Sequence, residues 1–248
     1  MLIDLHTHTY PLSWDSSLRA DELIERSKAA GLDGIVLSEH DFAWNPEEVR
    51  ALGERHNFLV LHGIEVNTDD GHILVVGPRR YAYGMHHVHE LARLVREADG
   101  VMWAAHPYRR HHPWDWANEA QWTAALDRAE RTEAYATVAA LEIVNGRGSP
   151  RENLVSHRLA EHLGLPGTAG TDSHRIEDVG RAATYFDREI RSVADLVQEL
   201  RAGRCWPVDL TGGALIEVER YHRPPADLEH ERRAVAGQRA AYLATRQR

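Results

Sequence analysis

Two histidines separated by a single residue lie near the start of the chain, in Asp4-Leu5-His6-Thr7-His8. The largely apolar stretch that leads into them is typical of a short β-strand. Side chains at positions i and i+2 of a strand point to the same face, so His6 and His8 project together. Histidine is the commonest metal ligand in proteins. The stretch therefore predicts one side of a metal-chelating site.

Further ligand-type residues follow, or in one case begin, other apolar stretches that are typical of buried strands. With the first pair they form a set of nine candidates: His6, His8, Asp15, His40, Glu65, His72, His106, Asp172 and His174. All nine offer nitrogen or oxygen donors, which favours Mn, Zn or Fe(II) without choosing among them. Nine ligands exceed the three or four that one ion needs, so we predict more than one bound ion.

Strand-like and helix-like stretches alternate at least five times, which is the pattern of an α/β fold with buried parallel strands. The predicted strands are 1–5, 33–37, 58–64, 71–77, 101–105, 138–144, 165–170 and 183–186. The predicted helices begin near Ala20, Pro46, His87, Ser149 and Ser192, and a loop that runs into a helix is predicted over 108–122. A chain of 248 residues fits one TIM-like barrel, whose active site lies at the carboxyl ends of the strands.

Composition excludes several classes of protein. The net charge of −9 argues against binding long nucleic acid, which requires a broad basic surface. No apolar run approaches the roughly 20 residues of a membrane-spanning helix, so no membrane partner is expected. A lone cysteine, Cys205, and no recognisable signal peptide predict a cytoplasmic protein. The oligomeric state stays open.

Five ordered motifs together resemble the PHP (polymerase and histidinol phosphatase) superfamily over residues 1 to about 187. They are Asp4-Leu5-His6-Thr7-His8 with Asp15, Glu39-His40-Asp41, Gly63-Ile64-Glu65-Val66-Asn67, Ala105-His106-Pro107 and Gly170-Thr171-Asp172-Ser173-His174. The resemblance implies a distorted (β/α)7 barrel, a trinuclear metal cluster and hydrolysis of phosphate esters. We expect this domain to span residues 1–223, followed by a helical tail over 224–248.

The resemblance also implies how the ligands are shared among three ions. It places one ion at His6, His8, Glu65 and Asp172, a second at Glu65, His72 and His106, and a third at Asp15, His40 and His174. Other branches of the superfamily take the ligand at His72 from a later position, for which His86, His87 and His89 are the alternatives.

Clustered divalent ions can bridge a hydroxide, neutralise phosphate oxygens and orient an in-line displacement. We expect Glu65, Asp172 and His174 to be catalytic. Arg109, three residues after His106, and Arg175, directly after His174, are candidates for binding the substrate phosphate, because guanidinium can bind it bidentately. The general acid for the leaving group is not identified.

The sequence therefore predicts a metal-dependent phosphoesterase that acts on a small phosphorylated metabolite or a nucleotide. The segment between His72 and His106 is short where the nucleotide-acting branch carries an inserted domain. Two alternatives remain, an amidohydrolase cleaving C–N bonds and a phosphodiesterase or exonuclease acting on nucleic-acid ends. The only lysine, Lys28, falls in a helix, which excludes the amidohydrolase type that bridges its metals with a carbamylated lysine. A barrel that has lost its chemistry should lack ligands, and none is missing.

Overall fold

The computed structural model describes residues 1–211 as an α/β fold. Its ten strands, β1 to β10 in chain order, are Leu2–Thr7, Gly34–Leu37, Leu59–His62, Ile64–Thr68, Gly71–Val76, Val101–Ala104, Leu141–Asn145, Gly167–Gly170, Ala182–Tyr185 and Trp206–Asp209. Its six α-helices, α1 to α6, are Ala20–Ala29, Pro46–His56, Val88–Glu97, Glu119–Glu130, Pro150–Leu163 and Val193–Arg201. Two short 3₁₀ turns are Pro107–Arg109 and Glu133–Ala136.

The strands form two five-stranded sheets, in the orders β10-β9-β1-β2-β3 and β4-β5-β6-β7-β8. Each sheet is mixed: β1-β2-β3 and β6-β7-β8 pair in parallel, whereas β9, β10 and the β4-β5-β6 pairs are antiparallel. The predicted α/β class is confirmed, but its strands are not all parallel. A single closed barrel is not confirmed, because the described strands divide into two sheets.

The predicted strand over 58–64 is in fact two strands, β3 and β4, that belong to different sheets. Gly63 lies between them in a tight passage. A Cβ added there would lie 2.8 Å from Val36 Cγ1 and 3.0 Å from the carbonyl oxygen of Val75. The chain crosses at this residue from one sheet to the other, and the lack of room for a Cβ explains why the residue is glycine. Strand β10 was not predicted, and the predicted tail over 224–248 lies outside the described residues.

Helix starts follow the local signals in the sequence. Ser149 caps α5 with a reciprocal capping box to Glu152, and Asn45 caps α2 by accepting from the Glu47 N–H. Helix α3 buries Val88, Leu91, Ala92 and Val95, the i, i+3, i+4, i+7 pattern of a helix that packs on a sheet. None of the helices in residues 1–211 is both long and apolar enough to cross a membrane.

The two sheets meet where their strands end. Isolated bridges join Thr7 to Ser173 and His40 to Glu65, and each bridge links one sheet to a segment of the other. Two of these four residues, His40 and Glu65, belong to the predicted ligand set, and the other two, Thr7 and Ser173, are next to members of it in the chain. The fold thus brings the candidate ligands from both sheets to one place.

Candidate metal centre

Glu65, on β4, is the centre of a buried cluster of histidines. Its side chain is fully buried, and five imidazoles surround it. The distances to Glu65 Oε2 are 3.3 Å from His6 Nε2, 3.1 Å from His8 Nε2 and 3.0 Å from His40 Nδ1. The distances to Glu65 Oε1 are 2.7 Å from His72 Nδ1 and 2.9 Å from His106 Nε2. Both oxygens of this one carboxylate therefore lie close to imidazole nitrogens.

Asp172 and Asp15 complete the set of nine. Asp172 Oδ1 lies 3.6 Å from His6 Nε2, 3.4 Å from His8 Nε2 and 3.5 Å from His174 Nδ1. Asp15 Oδ2 lies 3.4 Å from His40 Nε2 and 3.0 Å from His174 Nε2. The structure thus brings together all nine residues that the sequence predicted as metal ligands.

Three buried ligand atoms in the cluster are orphaned. His6 Nε2, His8 Nε2 and Glu65 Oε2 are shielded from solvent and have no hydrogen-bond partner within residues 1–211. A buried polar atom without a partner is destabilising, and native proteins rarely leave one unpaired. The three atoms face each other at 3.1 and 3.3 Å. A cation between them would satisfy all three, so the donor set fits a bound metal.

Ligand atoms throughout the cluster lie close enough together to share a metal ion. Within each of four groups the ligand atoms lie within 4.8 Å of one another: His6–His8–Asp172, His6–Glu65–His106, His40–Glu65–His72 and His8–His40–His174. All their donors are imidazole nitrogens or carboxylate oxygens, which suit Mn, Zn and Fe alike.

A second carboxylate, Glu142 on β7, contacts the ring nitrogen of His6 that does not face Glu65. Its Oε1 lies 2.9 Å from His6 Nδ1, and its Oε2 accepts from the backbone N–H of His106 and from Asn145 Nδ2, both at 2.9 Å. With Nδ1 donating to Glu142, His6 presents the lone pair of Nε2 to the cluster. Carboxylates behind ligating histidines commonly fix the tautomer in this way. Glu142 is not among the site residues predicted from the sequence.

His8 is oriented by a relay of two hydrogen bonds. Ser13 Oγ lies 3.2 Å from His8 Nδ1 and donates to Glu39 Oε2 at 2.5 Å. Because the Ser13 hydroxyl proton goes to Glu39, its oxygen accepts the Nδ1 proton of His8. The Nε2 lone pair of His8 then also faces the cluster. Glu39 is itself fixed by Thr9 and by Trp44 Nε1 at 2.8 Å.

The charges of the cluster reinforce each other. Burial disfavours the charged form of His6, but Glu142, Glu65 and Asp172 nevertheless hold its pKa well above the usual value. Burial likewise opposes the charge on His8, and contacts with Asp172 and Glu65 raise its pKa to about 9. Burial alone would raise the pKa of Glu65, yet the charge of His6 and the hydrogen bond from His106 hold it well below the usual range. Without another cation, protons on histidine must balance the buried carboxylates.

Backbone geometry at the cluster is strained. His106 has φ +28° and Asp172 has φ +54°, in the left-handed region that most side chains avoid. Such residues cost about 1–3 kcal/mol each and concentrate at functional sites. Gly170 is also required here, since a Cβ would lie 2.4 Å from His6 Cβ. The close approach of β8 to β1 thus depends on this glycine.

Two arginines reach the cluster, and one of them was not predicted. Arg109 Nη2 donates to Asp172 Oδ2 at 2.6 Å. Arg147, just after β7, places Nη1 3.7 Å from Asp172 Oδ1 and 2.9 Å from His174 Nδ1. Arg175 does not join them: its side chain is exposed, and it lines a separate surface pocket with Ser17. Arg147 could have been predicted from its position, because it follows the end of a strand at Asn145 by two residues.

The alternatives to His72 lie away from the cluster. His87 Nδ1 contacts Asp69 Oδ2 at 2.8 Å, and His89 Nε2 contacts Glu133 Oε2 at 2.9 Å. The side chains of His87 and His89 are 64% and 72% exposed, and the ring of His86 packs 4.0 Å from that of His87. Of these candidates, only His72 contacts Glu65.

Family models match most of the chain. The model described as PHP domain matches residues 4–143, and the model described as PHP-associated matches residues 150–205. Together they include all nine clustered residues. No curated protein matches the chain.

Solved structures of similar fold come from several kinds of protein. A two-domain protein from Bacteroides vulgatus containing a predicted PHP-like metal-dependent phosphoesterase is 17% identical with a TM-score of 0.57, and the match covers 84% of this chain and 64% of that one. An amidohydrolase from Chromobacterium violaceum with bound sulfate is 17% identical with a TM-score of 0.55, over 80% of this chain and 96% of that one.

A lesion-specific endonuclease from Pyrococcus furiosus is 15% identical, with a TM-score of 0.51. The match covers 81% of this chain and 55% of that one. The chain thus spans about 64% and 55% of the Bacteroides and Pyrococcus proteins. At these identities the likeness establishes the shared fold.

Proposed function

The chain belongs to the PHP family, and from that premise we propose that it is a metal-dependent phosphoesterase that releases phosphate from a small metabolite or a nucleotide. The observation that carries the proposal is the set of orphaned donors around Glu65. His6 Nε2, His8 Nε2 and Glu65 Oε2 are buried, unpaired and convergent, which is the arrangement a divalent ion requires.

The nine clustered residues are proposed to hold three divalent ions, Mn, Zn or Fe. His6, His8, Glu65 and Asp172 would hold one, Glu65, His72 and His106 a second, and Asp15, His40 and His174 the third. Bound ions supply an activated water nucleophile and neutralise phosphate oxygens. Among the catalytic residues, Glu65 contacts ligands assigned to all three ions, Asp172 links the first and third sets, and His174 lies between Asp172 and Asp15.

Arg109 and Arg147 are proposed to bind the phosphate. Both reach Asp172 from the solvent side, and their side chains are 40% and 42% exposed. A guanidinium carries five N–H donors in a planar fork, so an arginine that touches Asp172 keeps donors for a phosphate oxygen. Arg109 and Arg147 would together orient the phosphate. The proposal assigns no role to Arg175, which lies at the surface.

The C–N hydrolase alternative is weaker. Lys28 Nζ donates to the carbonyl oxygen of His56 at 2.6 Å, far from the cluster, so no lysine is available to bridge metals. Two arginines at the cluster suit an anionic phosphate better than a neutral amide. The second candidate function is hydrolysis at the ends of nucleic acid. Because one protein of similar fold is an endonuclease, the test includes oligonucleotides.

The test measures phosphate release from a panel of phosphomonoesters and nucleotides, by protein loaded with Mn²⁺ or Zn²⁺. Wild type is compared with Asp172→Asn, His6→Ala and the control Asp127→Asn. Asp127 belongs to an exposed group with Glu130 and His162, so it receives the same change away from the buried cluster.

We expect turnover by wild type and by Asp127→Asn. We expect a loss of at least about 100-fold in kcat for Asp172→Asn and for His6→Ala. Absence of phosphate release by metal-loaded wild type across the panel would overturn the phosphomonoesterase proposal. Nucleotide release from single-stranded oligonucleotides, or hydrolysis of amides, would then identify the reaction.

A further inference from the structure

A cavity of about 210 Å³ opens directly beside the cluster, and no role has been assigned to it so far. We propose that it binds the leaving group of the substrate, and that Arg110 and Tyr135 there select leaving groups carrying a second anion, a carboxylate or a phosphate. The proposal rests on the phosphoesterase function, which it makes more specific.

One wall of the cavity is the cluster itself. The cavity is lined by His72 and His106, which lie 2.7 and 2.9 Å from Glu65 Oε1. Arg109, which lines the same space, contacts Asp172 at 2.6 Å. A group esterified to a phosphate at the cluster can therefore extend into the cavity without crossing any intervening element.

Part of the cavity wall is apolar. Its lining here comes from β5, from the end of β6 and from the residues that follow β6: Ile73, Ala104, Ala105 and Pro107. All four are buried. The small side chains of Ala104 and Ala105 leave room for a short carbon skeleton, and the apolar surface of all four residues favours carbon over a bare ion.

Another part of the cavity wall carries hydrogen-bond donors from residues that have no ion pair with the cluster within residues 1–211, Arg110 and Tyr135. Arg110 Nη1 donates to the carbonyl oxygen of Asp69 at 2.9 Å, which fixes the guanidinium against the cavity. Gly71, with φ +122°, lies under it, and a Cβ there would be 3.4 Å from Arg110 Nε. The guanidinium keeps its other N–H groups for a ligand, and its fork matches a carboxylate or phosphate.

Tyr135 adds a second donor. Its residue is 7% exposed, and no hydrogen bond within residues 1–211 uses its hydroxyl. Asp70 contributes a negative charge to the lining, but its Oδ2 already accepts from the backbone N–H of Ala134 at 3.0 Å. That bond holds the turn that carries Tyr135. Hydrogen-bond donors that share a cavity with an apolar surface fit an anion at the end of a short chain.

Phosphonates test this selection without requiring turnover. Propylphosphonate, 4-phosphonobutanoate and propane-1,3-bisphosphonate share a three-carbon chain on phosphorus and differ only in the group at its far end, which is hydrogen, carboxylate or phosphonate. Their binding to metal-loaded protein is measured by calorimetry for wild type, Arg110→Ala, Tyr135→Phe and the control Arg80→Ala. Arg80 is exposed and does not line the cavity.

We expect wild type to bind at least one of the two ligands with a second anionic group about tenfold or more tightly than propylphosphonate. Arg110→Ala should abolish that preference and Tyr135→Phe should reduce it, while both bind propylphosphonate within about twofold of wild type. Arg80→Ala should keep the preference. Of the two ligands with a second anionic group, the one that binds more tightly identifies that group as a carboxylate or a phosphate.

Equal binding of the three ligands by wild type would overturn the inference. A loss in Arg110→Ala that is the same for all three ligands would also overturn it, because it would indicate a general effect on the site. A clear preference in binding with no phosphate release from the matching esters would instead leave the cavity assignment standing and contradict the phosphatase reaction.

Discussion

Two regions of this molecule place a histidine between two carboxylates, and they differ in nearly everything else. On the surface, between α1 and α2, His56 Nε2 lies 2.7 Å from Asp21 and its Nδ1 lies 2.6 Å from Glu25. In the interior, His6 Nδ1 lies 2.9 Å from Glu142 and its Nε2 lies 3.3 Å from Glu65. The chemical groups are the same, but only the second region fits a metal.

The difference lies in what remains unsatisfied. Both nitrogens of His56 hydrogen-bond to a carboxylate, and the side chains of Asp21 and Glu25 are 57% and 58% exposed, so water completes the site. His6 Nε2 and Glu65 Oε2 are buried and have no hydrogen bond within residues 1–211. A histidine–carboxylate group therefore indicates a metal site when burial leaves convergent donors unpaired, and an ordinary ion pair when water reaches it.

The same substitution made in both regions should separate them most strongly. Glu65→Gln removes the charge shared by five histidines, and an amide is a poor metal ligand. We expect affinity for Mn²⁺ or Zn²⁺ to fall by at least about 100-fold, with a comparable loss of kcat. Glu25→Gln should leave both unchanged. Metal bound per protein after dialysis, measured by elemental analysis, is the readout.

Folding of Glu65→Gln must be checked by circular dichroism, so that loss of metal is not loss of structure. Wild-type metal content in folded Glu65→Gln protein would contradict the assignment of Glu65 as the central ligand. Reduced metal content in Glu25→Gln would show that the two regions do not differ as the contacts indicate.

The interior region was predictable from the sequence because most of its ligands follow strands. In α/β folds the carboxyl ends of parallel strands meet at one edge. Residues at such ends, His40 and His106 for example, are therefore neighbours even when far apart in the chain. The i, i+2 rule placed His6 and His8 correctly on one face, and both contact Glu65. Local periodicity and strand order sufficed for these residues.

Other features depended on tertiary contacts that no local pattern encodes. The change of sheet at Gly63 follows from packing against Val36 and Val75, which are distant in sequence. The position of Arg175 depends on how the chain turns after His174, and this turn places the side chain at the surface. Glu142 did leave a signal, since a charged residue inside the apolar stretch Leu141-Glu142-Ile143-Val144 is unusual in a buried strand.

Glu142→Gln should weaken the interior region without dismantling it. Glutamine can still accept from His6 Nδ1, but it lacks the charge that supports the imidazole, so the effect is smaller than that of Glu65→Gln. We expect metal affinity and kcat to fall by about 10- to 100-fold. The measurement is competition with a chelator of known affinity.

Glu199→Gln is the matched control for Glu142→Gln. Glu199 is also buried and charged, but it pairs with Arg204 at 2.6 Å, away from the cluster. Its loss should lower thermal stability and leave metal affinity per folded molecule unchanged. If the two variants lose metal affinity equally, Glu142 acts through general stability and not through His6.

The smallest expected effect belongs to the surface region. The hydrogen bond to Asp21 is the main cause of the raised pKa of His56, and the hydrogen bonds from His56 lower the pKa values of Asp21 and Glu25. A raised histidine pKa stabilises the fold fully below the unfolded value of 6.5, and that contribution is lost as pH rises through the folded pKa. Lowered carboxyl pKa values contribute above the unfolded values of 3.8 and 4.5, and are lost as pH falls.

These signs define a pH window for His56→Asn. The difference in Tm between wild type and the variant should be largest between pH 4.5 and 6.5, and should shrink on both sides. Because Asp21 and Glu25 are exposed, we expect the difference in Tm to reach only about 2 °C, and less in high salt. Thermal melts of metal-loaded protein at several pH values measure it. A difference that stays constant with pH would mean that His56 stabilises the fold by packing, and the surface region would then no longer be an ionic counterpart of the cluster.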